Sequence, residues 1–223
     1  MRIGVCIPGH TNHLQYLQKC LESIEQQTVK PTVISISISS HTGGTPLPPI
    51  KCSLPMKISV TPNAACAGKN RNIAAKAIED EVDILSFVDM DDWMHPQRLE
   101  VAEKAFAENP VDCFLHFFQT ENKSEYYNLQ LADYQWEEPT KLFFTDCFLP
   151  TRDCICGRVE VLPNTHTTTG STKGHITESV KAWKASPFPE GYGLGEDCEN
   201  LYRLYEKGFK PLYCPDKLSL YFK

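Results

Sequence analysis

Short apolar runs alternate with helical stripes along the first half of the chain, and this alternation narrows the accessible folds more than any other feature. Arg2–Ile7 is an apolar run ending at Pro8-Gly9. Leu14, Leu17, Leu21 and Ile24 then recur at helical spacing, with Thr11 or Asn12 as cap. Thr32–Ile38 alternates apolar residues with serine, the pattern of a strand with one polar face. His41–Pro55 is rich in Gly, Pro, Ser and Thr and reads as loop, and Met56–Val60 as a short strand. Gly68–Ile78 predicts a helix and Ile84–Val88 a strand. Pro96 starts a further helix, whose buried face is Leu99, Ala102 and Phe106 and which ends at Asn109-Pro110. Strand, helix, strand, strand, helix, strand, helix is the order of an α/β domain with a mainly parallel sheet.

The second half is less regular. Asp112–Gln119 predicts a strand, and residues 120–150 two or three strand pieces. Pro150–Gly174 reads as a long loop, a length that usually serves function. Glu178–Ala185 predicts a short helix. Glu196–Lys207 predicts another, with Leu201, Leu204 and Tyr205 inward and Gly208 closing it. Lys217–Phe222 reads as a last strand. No repeat or linker interrupts the 223 residues, which fit one domain.

Charge and cysteine usage exclude several classes. Lys plus Arg number 22 against 28 Asp plus Glu, a formal charge of -6. Such a chain gets no general electrostatic help from nucleic acid or an anionic membrane. An anionic substrate must be met by local positive charge, a metal or backbone N–H groups. The apolar stretches fall far short of the roughly 20 residues of a membrane helix. The N-terminus lacks the basic and long apolar regions of a signal peptide. The 10 cysteines are scattered, with no Cys-x-x-Cys pair. They read as buried reduced thiols of a cytoplasmic protein, a disulfide from Cys154 or Cys156 being the minority alternative.

Asp89, Asp91 and Asp92 close the fourth predicted strand in Ser86-Phe87-Val88-Asp89-Met90-Asp91-Asp92-Trp93. Ligands of open α/β sheets bind at the carboxyl ends of strands. Packing does not require three acids there, and their repulsion is costly without a cation. Asp89 and Asp91 point the same way from an extended chain. Together they suit Mg²⁺ or Mn²⁺ held between protein oxygens and a substrate diphosphate. Asp92 alone reads as a helix cap. A second acidic group follows the glycine-rich run Gly191-Tyr192-Gly193-Leu194-Gly195 as Glu196-Asp197. Acids in a first helical turn are explained by the macrodipole alone. Paired with the first cluster, a carboxylate here could also act as general base toward a hydroxyl.

These segments resemble the family 2 glycosyltransferases. Ile3–Pro8 and Leu17–Gln27 are similar to that family's opening, and Asn63–Asn72, with Lys69-Asn70-Arg71-Asn72, to its Ala-Arg-Asn-like loop and helix. Asp89-Met90-Asp91-Asp92 matches its Asp-x-Asp motif, and Gly195-Glu196-Asp197 with Tyr202-Arg203-Leu204 its Glu-Asp helix. The four come in family order over nearly the whole chain. The resemblance implies a single GT-A domain, Rossmann-like, over residues 1–223. Residues 1–110 would bind a nucleotide sugar, most simply UDP-linked; residues 111–223 would carry the acceptor site and base. It implies inverting transfer of a hexosyl or N-acetylhexosaminyl group with Mn²⁺ or Mg²⁺. Asp91 would be the main metal ligand, and Asp89 would face the donor with or without a metal contact. Asp197 would be the general base, and Glu196 would orient the acceptor. Arg71, with Lys69, would lie near the diphosphate or the donor sugar, and Pro8, Gly9, His10, Ser39 and Met90 would border the donor. Trp183, Tyr192 and Gly195 are the acceptor-side candidates.

Two departures from the family pattern stand out. The second strand ends in Ser39-Ser40-His41-Thr42 rather than in acids, so a base contact would be uncharged. Tyr213–Lys223 contains no His to complete a metal site. Elsewhere His13 reads as solvated, His95 as part of a helix start, and His116 as a core residue. His166 and His175 fall in the long loop. Trp93 reads as core or sugar platform. Asn122-Lys123-Ser124 fits a glycosylation sequon without meaning in the cytoplasm. The rival readings are a degenerate GT-A domain that only binds nucleotide or glycan, and a sugar nucleotidyltransferase. The latter would want a glycine-rich basic loop after the first strand, which Pro8-Gly9-His10 is not. The acceptor is expected to be soluble, or lipid-linked and reached by peripheral association with a membrane or partner.

Overall fold

The structure, a computed structural model, describes residues 1–43, 46–139, 145–148, 159–161, 167–168, 175–191 and 195–223. Its frame is a sheet of eleven strands among the described residues. The first five are β1 (Ile3–His10), β2 (Val33–Ser39), β3 (Met56–Val60), β4 (Ile84–Phe87) and β5 (Trp93–Met94). They are followed by β6 (Cys113–Glu121), β7 (Thr145–Phe148), β8 (Val159–Val161), β9 (Thr167–Thr168), β10 (Thr177–Ser179) and β11 (Pro211–Phe222). The order is β3-β2-β1-β4-β10-β6-β11-β7-β8-β9, with β5 joined to β11. Strands β3, β2, β1 and β4 are mutually parallel, as the strand–helix alternation predicts.

Among the described residues five helices cover the two faces: α1 (Leu17–Glu25), α2 (Ala67–Lys76), α3 (Arg98–Glu108), α4 (Val180–Ala185) and α5 (Glu196–Glu206). Alternation along β1 and β2 sorts the packing. Ile3, Val5, Ile7, Ile34, Ile36 and Ile38 pack with Leu17, Cys20, Leu21 and Ile24 of α1. Cys6 and Val33 face the other way, toward Ala74 and Ala75 of α2, Ile78 just beyond it, and the inner residues of α4 and α5. The serine face of β2 therefore does not meet water: Ser35, Ser37 and Ser39 are fully buried. Small residues there let α2 approach closely. At Gly4 on β1, a Cβ would stand 2.5 Å from Cδ1 of Ile78, which follows α2.

Several boundaries differ from expectation for identifiable reasons. β1 continues through Pro8 to His10, because β4 pairs only as far as Cys6 and leaves that flank of β1 open. Proline fits a strand under that condition. The cap of the first helical segment is neither Thr11 nor Asn12. His10 Nδ1 accepts the Asn12 N–H at 3.1 Å and starts a 3₁₀ turn, Thr11–Tyr16, ahead of α1. Of the strand pieces expected over residues 120–150, β7 is present, while residues 122–139 hold two 3₁₀ turns, Lys123–Glu125 and Leu131–Asp133. β10 enters antiparallel between β4 and β6 and takes the first two residues of the helix predicted over Glu178–Ala185, which begins as α4 at Val180. Three residues are too few to carry a periodic signal. On α5 the buried stripe is Glu196, Asn200, Leu201 and Leu204, so Tyr205 falls off it and is exposed. Gly208, at φ +80°, closes α5 in the left-handed conformation. Cys6, Cys20, Cys113 and Cys214 are buried and outside any disulfide, while Cys154 and Cys156 lie outside the described residues.

Candidate active site

β1 sends the chain to β2 on one side and has β4 on the other, so the strand order reverses there. Crevices of α/β sheets open beyond the carboxyl ends of strands at such a point. A cleft of about 190 Å³ lies there. The end of β1 lines it with Pro8, Gly9 and His10, and the following turn adds His13. Ala65, Ala67 and Asn70 approach from the start of α2, and Asp89 and Asp91 from beyond β4. Cys66, at the N-cap of α2, makes no side-chain bond to the first turn. The positive end of that helix is left to solvent or a ligand.

Asn70 holds this floor together. Its Nδ2 donates to Gly9 O and Ser39 Oγ, each at 3.0 Å, and its Oδ1 accepts from Ser37 Oγ at 3.1 Å. Ser39 Oγ also donates to Gly9 O at 3.3 Å. Ser39 is thus a buried strut between the ends of β1 and β2, not a residue of the cleft wall. Met90, expected beside the donor, is 1% exposed and packs its Cε beneath Gly9. Its alternation with Asp89 and Asp91 turns it inward as they turn to the cleft. Ser40 follows at φ 60°, the one non-glycine with positive φ among the described residues. Left-handed backbone of this kind concentrates at functional sites.

Arg71 joins the two acidic segments. Its guanidinium, 2% exposed, donates from Nη2 to Asp89 Oδ1 at 2.9 Å and from Nη1 to Glu196 Oε1. The Phe188 ring lies 5.3 Å from the guanidinium carbon. Burial opposes the charge, but Asp89, Glu196 and Asp197 outweigh it and raise the Arg71 pKa. Asp89 is pushed up to about 6, by burial first, with Arg71 pulling the other way. Asp197 follows on α5, half-buried, with Oδ1 accepting the Cys198 N–H at 2.9 Å.

Asp91 pairs with Lys123 through Oδ2 and has His13 Nδ1 at 3.9 Å from Oδ1. His13 is solvated as expected, yet it also lines the cleft. Asp92 corrects its reading as a helix cap: α3 begins at Arg98, with Gln97 at the cap. Asp92 instead turns into the core at 1% exposure, where Oδ1 accepts the Phe222 N–H at 3.0 Å and Oδ2 meets His175 Nε2 at 2.9 Å. Burial, then Arg98, pushes His175 down to about 3, so the imidazole is neutral and donates to Asp92. Ligand atoms of Asp89, Asp92 and His175 lie within 4.8 Å of one another, a cluster that could hold a metal ion.

Tyr221 lies near the end of β11. Its phenol is pushed up to about 12, by burial first, then by Asp92, Asp89, Asp91 and Asp197. Carboxylates of both segments therefore act on one hydroxyl. Sequence reasoning passed over Tyr221, which stands in no motif, and met Lys123 only as the middle residue of a sequon. It placed His175 only in a loop. Asn70 had a signal, being a polar residue on the helix face that meets the serines of β2.

The other candidates fall as follows. Lys69 is exposed at the start of α2 and does not line the cleft. Trp183 is 5% exposed, packs in the core under α4, and donates from Nε1 to Asn72 Oδ1 at 3.3 Å. That burial leaves no ring face for a sugar. Trp93 is likewise core, against Tyr126 and Phe222. Gly195 caps α5 at φ 82°, a conformation that needs glycine. His95 sits at the start of α3, where Nδ1 accepts the Gln97 N–H, and His116 is buried in β6, as expected. Tyr192 and His166 lie outside the described residues.

A mostly parallel sheet, helices on both faces and an acid-lined cleft at the switch point define a GT-A-type α/β protein. Residues 5–165 match the family Glycosyl transferase family 2, and the chain belongs to it. No curated protein matches the chain in sequence. Its fold is similar to that of the crystal structure of S. aureus TarS 1-349 in complex with UDP, with TM-score 0.68 and 17% identity, over 100% of this chain and 61% of that one. The TarS 1-349 complex with UDP-GlcNAc gives TM-score 0.68 at 17% identity, over 100% and 59%. Against TarS as a whole the TM-score is 0.67 at 17% identity, and the chain spans 37% of that protein. No described helix is long and apolar enough to cross a membrane.

Proposed function

We propose that the chain transfers a hexosyl or N-acetylhexosaminyl group from a UDP-linked donor to an acceptor hydroxyl, with inversion and with a divalent cation. The observation that carries this reading is Arg71, which bonds Asp89 of the first acidic segment and Glu196 of the second with one guanidinium. Two acidic groups far apart in the chain thereby share one site. In-line displacement of a nucleoside diphosphate needs such a pair, one on each side of the sugar. The UDP and UDP-GlcNAc complexes of TarS support the choice of donor.

The roles follow from position. Pro8, Gly9 and His10 form the wall against which the nucleotide lies, and the open first turn of α2 faces the same cleft. Asp89 and Asp91 supply hard carboxylate oxygens to it, the donor set that suits Mg²⁺ or Mn²⁺. Asp92 and His175 are bonded to each other behind them, so Asp91, with Asp89, is the fitter ligand. A cation there would neutralise the charge that the departing diphosphate develops. Arg71 holds Asp89 and Glu196 at fixed separation, and Glu196 orients the acceptor. Asp197 takes the proton of the attacking hydroxyl. Residues 1–110 then carry the donor and 111–223 the acceptor and base. A reducing, cytoplasmic setting suits the buried cysteines outside any disulfide.

Thermal unfolding with a panel of nucleotide sugars, with and without Mn²⁺, tests the reading. A donor that binds the native state raises the transition by mass action, and UDP-sugars are expected to do so in a Mn²⁺-dependent way. Mn²⁺-dependent release of UDP from that donor separates catalysis from mere binding. Absence of any shift across the panel would overturn the proposal.

A further inference from the structure

The cleft has a charge problem that its known parts do not solve. Asp89 and Asp91 line it, with Asp92, Glu196 and Asp197 behind or beside them, and a diphosphate entering this field is repelled. Arg71 is already bonded to Asp89 and Glu196. Arg98 is buried and donates to Ser219 Oγ, Ser86 Oγ, Phe87 O and His175 O. Lys69 is exposed and off the cleft wall. Among the described residues, Lys123 is the lysine that reaches a carboxylate of the cleft wall, through its pair with Asp91.

Lys123 is held in place by more than that pair. Its N–H donates to Lys223 O at 2.7 Å, tying its 3₁₀ turn to the chain end. Asn122 Oδ1 accepts from the Ser124 N–H at 3.0 Å and hydroxyl at 2.9 Å, which closes the turn. The ammonium lies 5.1 Å over the Tyr16 ring, and the side chain is 35% exposed. The backbone is fixed, while a four-carbon stem in partial contact with water lets the charge move. Its present partner, Asp91, is the carboxylate assigned above to the divalent cation.

Resting on that assignment, we propose that Lys123 is a contact for the donor's diphosphate, parked on Asp91 while the cleft is empty. In the free protein the ammonium balances Asp91 and so competes with a divalent cation for it. Once Asp91 turns to the cation, Lys123 is released beside the phosphates that the cation holds. It is a binding residue with a regulatory side: the protein resists loading with metal alone and accepts metal and nucleotide together.

Two measurements on Lys123→Met test this, with equal urea midpoints for variant and wild type as the check on folding. The first is Mn²⁺ binding to nucleotide-free protein, read from the electron paramagnetic resonance of free Mn²⁺. A half-exposed ion pair competes by a factor of up to about five, so the variant should bind Mn²⁺ about two- to fivefold more tightly. The second is UDP binding by calorimetry at saturating Mn²⁺, where loss of a charged contact should weaken affinity about tenfold or more. Unchanged or weaker Mn²⁺ binding overturns the parked state, and unchanged UDP affinity overturns the phosphate contact. If wild type binds no UDP, the donor assignment itself fails, while the Mn²⁺ comparison still decides whether Lys123 guards Asp91.

Discussion

Arg71→Met removes the group that joins the two acidic segments, and its consequence can be worked out from the structure. The guanidinium is 2% exposed, Glu196 10% and Asp89 27%. Removing one partner of a buried ion pair costs about 3–5 kcal/mol, because the other charge is left uncompensated. Here two carboxylates are left facing each other, but Asp89 keeps some contact with water, which favours the low end, about 3 kcal/mol. With a urea m-value of about 2–3 kcal/mol/M, the unfolding midpoint should fall by about 1–1.5 M at pH 7. The deficit should shrink on acidification. Asp89 titrates at about 6 even with Arg71 opposing its burial, so without Arg71 it binds its proton at higher pH still. Protonation then removes the repulsion, and the variant recovers toward wild type as pH falls from 7 to 5. Adding Glu196→Gln removes one orphaned charge, and the double-mutant cycle should return about 1–3 kcal/mol of coupling. A coupling within about 0.5 kcal/mol of zero, together with a deficit that ignores pH, would refute the shared-guanidinium argument.

Three further outcomes are expected. Asp197→Asn should bind UDP as wild type does in calorimetry, yet lose at least about 100-fold in kcat for lack of the base; Asp91→Asn should weaken both. Glu178 is buried on β10, where burial pushes its pKa up to about 8 despite the opposing Asn200 hydrogen bond. Native protein therefore holds a proton that the unfolded chain releases, so stability should fall as pH rises from about 4.5 to 8, and Glu178→Gln should flatten that slope in urea titrations. Gly68→Ala would set a Cβ 2.4 Å from the Pro189 carbonyl oxygen. That overpacking, about 1–3 kcal/mol, should exceed the gain of up to about 1 kcal/mol in helix propensity and lower the melting temperature.

Legibility in the sequence followed the range of the interactions involved. The parallel half was readable because each strand and helix carries its own period, as in Ile34, Ile36 and Ile38 of β2 or Leu17, Leu21 and Ile24 of α1. β10 was not, since three residues form a strand here only by filling the gap between β4 and β6. The serine face of β2 carried the right period, but its destination depended on α2, which brings Asn70 to satisfy it. Trp183 shows the same limit from the other side: an aromatic at a plausible position, buried because α4 packs inward.

At the cleft, the acidic motifs stood out because like charges in succession are costly and rarely needed for packing. Their count and order along the chain were sequence properties. Whether Asp89 and Glu196 stand at one guanidinium, whether Asp92 faces ligand or core, and which cation answers Asp91 were decided by the tertiary structure. Local sequence encodes periodicity and charge, which act over a few residues. The separations of 125 residues between Arg71 and Glu196 and 32 between Lys123 and Asp91 are closed only by strand order and helix packing.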